Sequence, residues 1–532
     1  MTRERLYLFD TTLRDGAQTQ GVDFSTEDKR TIAESLDKIG IDYVEGGWPG
    51  ANPTDTAFFA DPPRLKHARF TAFGMTKRSG RSAANDPGLA ELLSSTAPAL
   101  CIVGKSWDFQ VDVALEIPRE ENLVNIAESV AAVVAKKREA LFDAEHFFDG
   151  FRANPDYALA ALNAALSAGA NWLVLCDTNG GTLPEDAYRI VSEVKSRLPN
   201  AQLGIHAHND TEQAVAVSLA AVRAGARQIQ GTLNGLGERC GNANLCSVLA
   251  NLMLKEPYAS QFETAVTPGA LTQLTSVSRL LDEILNRAPN RHAAYVGPSA
   301  FAHKGGLHVS AVQKNPRTYE HVAPEAVGNR RHILVSDQAG RSTIMARLVL
   351  LGIDVLPSDK RIARLLDEVK SREFLGYAYD GAEASFELLA RRALGQVPAY
   401  FTVESFRIMV ERRHNAVGEL VTVSEAVVKV NVGGETYHNV GTGNGPVNAL
   451  DQALRKDLGR YSSYLQDLRL VDYKVRILTG GTEAVTRVMI ESADKSGHRW
   501  STVGVSENIM DASFEALSDS ICYKLYRDAA PA

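Results

Sequence analysis

Cysteine is scarce in this chain. Five residues, Cys101, Cys176, Cys240, Cys246 and Cys522, are spread through 532 positions. The number is odd and no two form a CxxC pair, which argues against a disulfide framework or a zinc ribbon and fits a reducing cytoplasm. Long apolar runs are also missing: none approaches the ~18 residues that a membrane span needs. The opening MTRERLYLFDTTLRDG enters a strand-like run without an apolar leader core, so a cytoplasmic protein with no membrane partner is expected. There is no excess of positive charge, since 57 Lys and Arg stand against 64 Asp and Glu for a net charge of −7, and nothing points to nucleic acid. A Gly-rich dinucleotide turn is absent after the first strand-like run, which counts against a doubly wound nucleotide-binding sheet.

What is present is a repeated alternation. Short apolar runs occur at RLYLFD (5–10), DYVEGG (42–47), RFTAFGM (69–75), ALCIVG (99–104), EALFDAE (139–145), NWLVLCD (171–177), QLGIHAH (202–208) and RQIQGT (227–232). Helical patterns lie between them. In 27–40, Ile32, Leu36 and Ile39 form one stripe, Ser25 or Thr26 suits an N-cap and Gly40 a stop. Eight such units, with strands starting roughly 30 residues apart, predict a (β/α)8 barrel over 1–267. From 268 to 398 the pattern turns mostly helical, interrupted by GPSAFAHKGGLHVSA (297–311). From 399 to 532 strands return, and VGTGNGPVNALDQAL (440–454) resembles VGVSENIMDASFEAL (503–517). Each copy follows two strand-like runs, which predicts a C-terminal α+β domain of two ββα repeats. No cluster of potential ligands or nucleophiles occurs there, so its role is structural or regulatory.

A barrel concentrates chemistry at the C-terminal ends of its strands. The polar residues obey that phase: Arg14 and Asp15 follow the first strand, Glu145 ends the fifth, Asp177 and Thr178 end the sixth, and His206 and His208 end the seventh. Two residues apart on a strand, the histidines share a face. Two imidazoles with the Asp15 carboxylate and the Asn242 amide oxygen offer mixed N/O ligation with open positions, suited to catalytic Mg2+, Mn2+ or Zn2+. Singly, Asp15 reads as a turn-capping carboxylate and Asn242 as a loop hydrogen bond; together at one barrel end they read as ligands. Arg14 reads either as a stabiliser of developing negative charge or as a salt-bridge partner of Asp15 or Glu145.

The segments DTTLRDGAQ (10–18), HAHND (206–210) and GLGERCGN (235–242) resemble the acyl-CoA-dependent aldol and Claisen enzymes built on metal-binding TIM barrels. That family includes isopropylmalate, homocitrate and citramalate synthases and hydroxymethylglutaryl-CoA lyase. EGGWPGANP (45–53), FGMTKRSG (73–80), GKSWD (104–108), EHFFDGF (145–151) and CDTNGG (176–181) look most like the citramalate branch. The resemblance spans nearly the whole chain. It implies metal ligation by Asp15, His206, His208 and Asn242, enolate stabilisation by Arg14, and a hold by Thr178 on the oxo acid carboxylate. It further implies Glu145 near the acetyl group and His303, in HKGGLH (303–308), as general base from the chain's own or a partner subunit.

That likeness also implies a homodimeric acyltransferase that condenses acetyl-CoA with pyruvate to citramalate, for isoleucine synthesis, with isoleucine as an effector at the C-terminal domain. Other acceptors remain open, 2-oxoisovalerate or 2-oxoglutarate, the latter needing a cation such as Lys105 for its far carboxylate. A non-catalytic amino-acid sensor is the reading from another class.

Overall fold

The structure is a computed structural model that describes residues 3–285, 287, 289–304, 306–333, 341–356, 358–379, 381–414, 416–478 and 484–532. Gly305 of the HKGGLH segment lies outside the described residues. The chain divides into two compact units, Met1–Phe301 with Val322–Arg330, and Ala302–His321 with Arg331–Ala532. Among the described residues no helix is long and apolar enough to cross a membrane.

In the first unit eight strands, β1 (Tyr7–Asp10), β2 (Tyr43–Gly47), β3 (Arg69–Met75), β4 (Ala99–Lys105), β5 (Glu139–Glu145), β6 (Trp172–Asp177), β7 (Leu203–Ala207) and β8 (Ala226–Gly231), form a closed parallel barrel. Each run expected from the sequence supplies one strand. Closure comes from β1, which pairs with β2 through Phe9 and Tyr43 and with β8 from Tyr7 opposite Gln228 to Asp10 opposite Gly231.

Period-two alternation sorts the strand side chains into two cores. Leu100, Ile102 and Phe142 point outward into the layer shared with the helices, while Phe9, Tyr43, Cys101, Leu141, Trp172 and Val174 pack inside the barrel. Above that apolar floor the same inward positions turn polar: Glu45, Asp143, His206, Gln228 and Gln230 are all buried.

The first helix, α1 (Thr26–Ile39), shows why the crossovers fold as they do. Ser25 accepts from the Asp28 backbone N–H while the Asp28 carboxylate accepts from the Ser25 N–H, a reciprocal cap. Ile32, Leu36 and Ile39 are buried on one stripe, and each such side chain contributes about 1.5–3 kcal/mol on leaving water. Gly40 ends the helix at φ +94°, a conformation in which a Cβ would be strained.

The second unit opens with the helices Gly306–Lys314, Arg341–Leu350, Lys360–Phe374 and Glu383–Ala393. Ile344, Leu348, Ile362, Leu365, Val369 and Phe386 make one core among the last three. The C-terminal part carries two copies of one pattern. The sheet of β9 (Thr402–His414), β10 (Leu420–Val432) and β11 (Glu435–Gly443) is followed by the helix Pro446–Lys456. The sheet of β12 (Arg469–Ile477), β13 (Thr486–Ala493) and β14 (Arg499–Ser506) is followed by the helix Ile509–Arg527. Each repeat therefore holds three strands and a helix, one strand more than the ββα pattern expected. The additional strands, β9 and β12, are largely exposed and rich in Arg, Glu, Asp and Lys, so neither carries the buried alternation that marks β10 or β13.

Replacing the α1 cap, Ser25→Ala, is expected to cost about 1 kcal/mol, read as a lower urea midpoint for the barrel transition. Ser25→Thr should restore most of it, and an unchanged midpoint in Ser25→Ala would show that the cap is dispensable.

Candidate metal centre

The polar layer sits at the C-terminal mouth of the barrel. Asp15 is carried on the turn that leaves β1, where its N–H and those of Arg14 and Gly16 converge on the Thr11 carbonyl. His206 lies on β7 and His208 just beyond it. One ligand atom each from Asp15, His206 and His208 can be chosen so that all lie within 4.8 Å of one another. His206 Nε2 is 3.2 Å from Asp15 Oδ2 and 3.4 Å from His208 Nε2. Asn242 is brought in by its loop. Its backbone forms an isolated antiparallel bridge with His208, and its buried Oδ1 accepts no hydrogen bond. That loop needs glycine: Gly241 sits at φ +87°, where a Cβ would lie 2.0 Å from the Gly235 carbonyl oxygen.

A carboxylate and two imidazole nitrogens brought this close to one another call for a positive charge among them. A divalent cation with open coordination positions meets that need, and the residues present fit one. Burial disfavours the His206 imidazolium, but the Asp15 carboxylate outweighs it and lifts that histidine above its usual range. Burial and the neighbouring His206 push His208 the other way, down to about 4. Burial also opposes the Asp15 charge, yet Arg14 and His206 hold its carboxyl far below the ordinary carboxylate range.

The other expected residues have partners of their own. Arg14 donates from Nε to Glu45 Oε2 at 2.7 Å, lies 3.6 Å from Asp15 Oδ1, and stacks 4.0 Å from the centre of the Phe73 ring. Beside it a cleft of about 470 Å3 opens, lined by Leu13, Ala17, Val22, Phe24 and Trp48 among others. Glu145 closes on Lys105 at 2.5 Å. Thr178 Oγ1 accepts from the His146 N–H at 2.8 Å, and its carbonyl accepts from Arg239 at 2.7 Å. His303 belongs to the second unit. There its Nε2 stands 3.1 Å from Glu320 Oε1, and Arg331 grips the same carboxylate at 2.5 and 2.6 Å.

Several residues of the layer are not picked out by the sequence pattern alone. Glu45 is fully buried, and burial raises its carboxyl to about 7 despite Arg14. Asp143 is buried too, and desolvation raises it against the pull of His206 and Arg14. Gln230 connects Asp143 with His206. The signal that could find them is the period of two: Leu141, Asp143 and Glu145 share a face on β5, as do Gln228 and Gln230 on β8.

Residues 5–281 match the family described as HMGL-like. Residues 295–373 match the homocitrate synthase post-HMGL domain-like family, and residues 380–525 the LeuA allosteric (dimerisation) domain. The chain is 50% identical over 529 residues to an (R)-citramalate synthase of Aquifex aeolicus, across 99% of this chain and 98% of that one. It is also 50% identical over 524 residues to an (R)-citramalate synthase of Geobacter sulfurreducens, across 98% and 97%. Identity with a probable 2-isopropylmalate synthase of Methanopyrus kandleri is 32% over 517 residues, across 96% and 97%.

Proton and cation compete for the same His206 lone pair, so divalent-ion affinity should rise with pH through the lifted pKa of His206 and level off above it. His208, held near 4, should add pH dependence only well below that range. Calorimetric titration of Mn2+ between pH 6 and 9 measures this, and a flat profile would show that His206 is not a ligand.

Proposed function

Because the chain belongs to the HMGL-like family, with (R)-citramalate synthases among its near full-length relatives, we propose that it condenses acetyl-CoA with pyruvate. Hydrolysis of the resulting thioester then gives (R)-citramalate and free CoA. The observation that carries the reading is the convergence of Asp15, His206 and His208 beside Arg14 in a chain alike over almost its full length to those enzymes.

Asp15, His206, His208 and Asn242 are the residues that would hold a divalent cation, whose chemistry when bound is Lewis-acid polarisation of the oxo acid's ketone. Thr178 takes the oxo acid carboxylate through its hydroxyl, whose oxygen already accepts from His146 and whose proton is free to be donated. Arg14 keeps its charge at every working pH. With Nε committed to Glu45, its terminal nitrogens serve the negative charge that grows on the thioester enolate. Glu145 and His303 are the groups assigned to removal of the acetyl methyl proton, His303 as the base. The enolate carbon attacks the ketone carbon, and water releases the thiol.

The ion pair of Lys105 with Glu145 supports a small acceptor. A five-carbon diacid would need a cation for its far carboxylate, and Lys105 is already neutralised. The C-terminal match to an allosteric and dimerisation domain supports a regulated homodimer; its assigned compartment is the cytoplasm and its assigned effector isoleucine, the end product of its route.

Thiol release should be fastest, by kcat/KM, with pyruvate, slower with 2-oxoisovalerate and slowest with 2-oxoglutarate. A preference for 2-oxoisovalerate would replace the acceptor assigned here. Isoleucine added to the full-length enzyme should lower the rate more than leucine does. Loss of one such donor costs ~2.7–4 kcal/mol, so Arg14→Ala is expected to lose at least ~100-fold in kcat with its circular dichroism unchanged. Near-normal turnover would remove Arg14 from this role.

A further inference from the structure

On the side of His206 away from Asp15 runs a line of buried polar groups that no step above uses. His206 Nδ1 lies 2.9 Å from Gln230 Oε1, and Gln230 Nε2 donates to Asp143 Oδ1 at 3.1 Å. Asp143 also shares a side-chain hydrogen bond with Cys101. His206, Gln230, Asp143 and Cys101 come from β7, β8, β5 and β4 and are all buried.

A side-chain amide accepts at one end and donates at the other, and Gln230 gives its donor end to Asp143 Oδ1. Asp143 therefore sets which end of Gln230 turns toward it. With the NH2 group on Asp143, the oxygen faces His206, and Nδ1 must carry the proton. Nε2 is then a bare lone pair aimed between Asp15 and His208. A reversed amide would place NH2 against Nδ1, move the imidazole proton to Nε2 and point an N–H into the ligand cluster. We propose that Asp143 and Gln230 are positioning residues that fix His206 in its Nδ1–H tautomer and so keep the Nε2 lone pair free for a divalent cation before any cation arrives. This rests on the metal reading of the site, but not on which reaction the site runs.

Two readouts test it on the full-length chain. In metal-free protein with 15N-labelled histidine above pH 8, long-range 1H–15N spectra report the tautomer of each neutral ring, and His206→Gln identifies the His206 signals. The native chain should show a protonated Nδ1 and a pyridine-like Nε2 at His206. Mn2+ titration should then show affinity about 10–100-fold weaker in Gln230→Met and in Asp143→Asn. The second variant is isosteric and guards against a barrel that Gln230→Met disturbs. A native His206 protonated at Nε2 would overturn the relay, as would native Mn2+ affinity in both variants. Neither readout involves turnover. A chain that behaves as expected here but condenses none of the oxo acids would refute the reaction and keep the relay.

Discussion

Closure of the sheet is the constraint on which the candidate site depends. Asp15 rides on the turn that leaves the first strand and the two histidines at the end of the seventh, and in an open sheet those strands would stand far apart. Here β1 hydrogen-bonds to β8 while β8 hydrogen-bonds to β7, with His206 opposite Gln230. The eighth strand is thus the spacer that sets how far the carboxylate stands from the imidazoles, and it also supplies Gln230, the side chain behind His206. A slip of β8 by one residue would turn Gln230 to the helix-facing side and leave His206 without it.

The polar layer is expensive to bury. Glu45, Asp143, Gln230 and His206 occupy inward strand positions of the kind that lower in the barrel hold Phe9, Tyr43, Leu141 and Trp172, and Asp15 is buried on the turn beside them. Charges withdrawn from water lose several kcal/mol of hydration each, and their mutual pairing only partly offsets that loss. Carboxyl groups answer by retaining protons: Glu45 and, at the foot of the Arg14 turn, Asp10 are raised to about 7 chiefly by burial. Asp15 alone of this set is driven firmly to the anion, because Arg14 and His206 both lie against it. The stability that tolerates this layer comes from elsewhere, from the apolar floor and from the strand–helix core outside the barrel.

The fold is legible in the sequence because its signals are local and repeated. Ser25, the Ile32–Leu36–Ile39 stripe and Gly40 mark a helix without reference to the rest of the chain, and the eight strand runs are visible for the same reason. The exposed strands β9 and β12 are not, since a strand with little to bury has no hydrophobic period to show. Within the site, the residues that approach the cation position are visible as isolated polar residues at strand ends. Those behind them are hidden for a physical reason. Gln230 and Glu45 sit inside runs that look like ordinary barrel strand, and only a partner distant in sequence gives a buried amide or carboxylate its meaning. Glu320 and Arg331, which enclose His303, are hidden in the same way.

The tightly filled lower barrel has one more effect. With Phe9 and Tyr43 stacked and Trp172 packed in the same cluster beneath the polar layer, the described barrel is a blind cup rather than a tunnel. Among the described residues the barrel mouth is the way in for ion and reactants and the way out for product. Their order of entry and exit then becomes a matter of traffic through that opening: whatever sits deepest must arrive first and leave last.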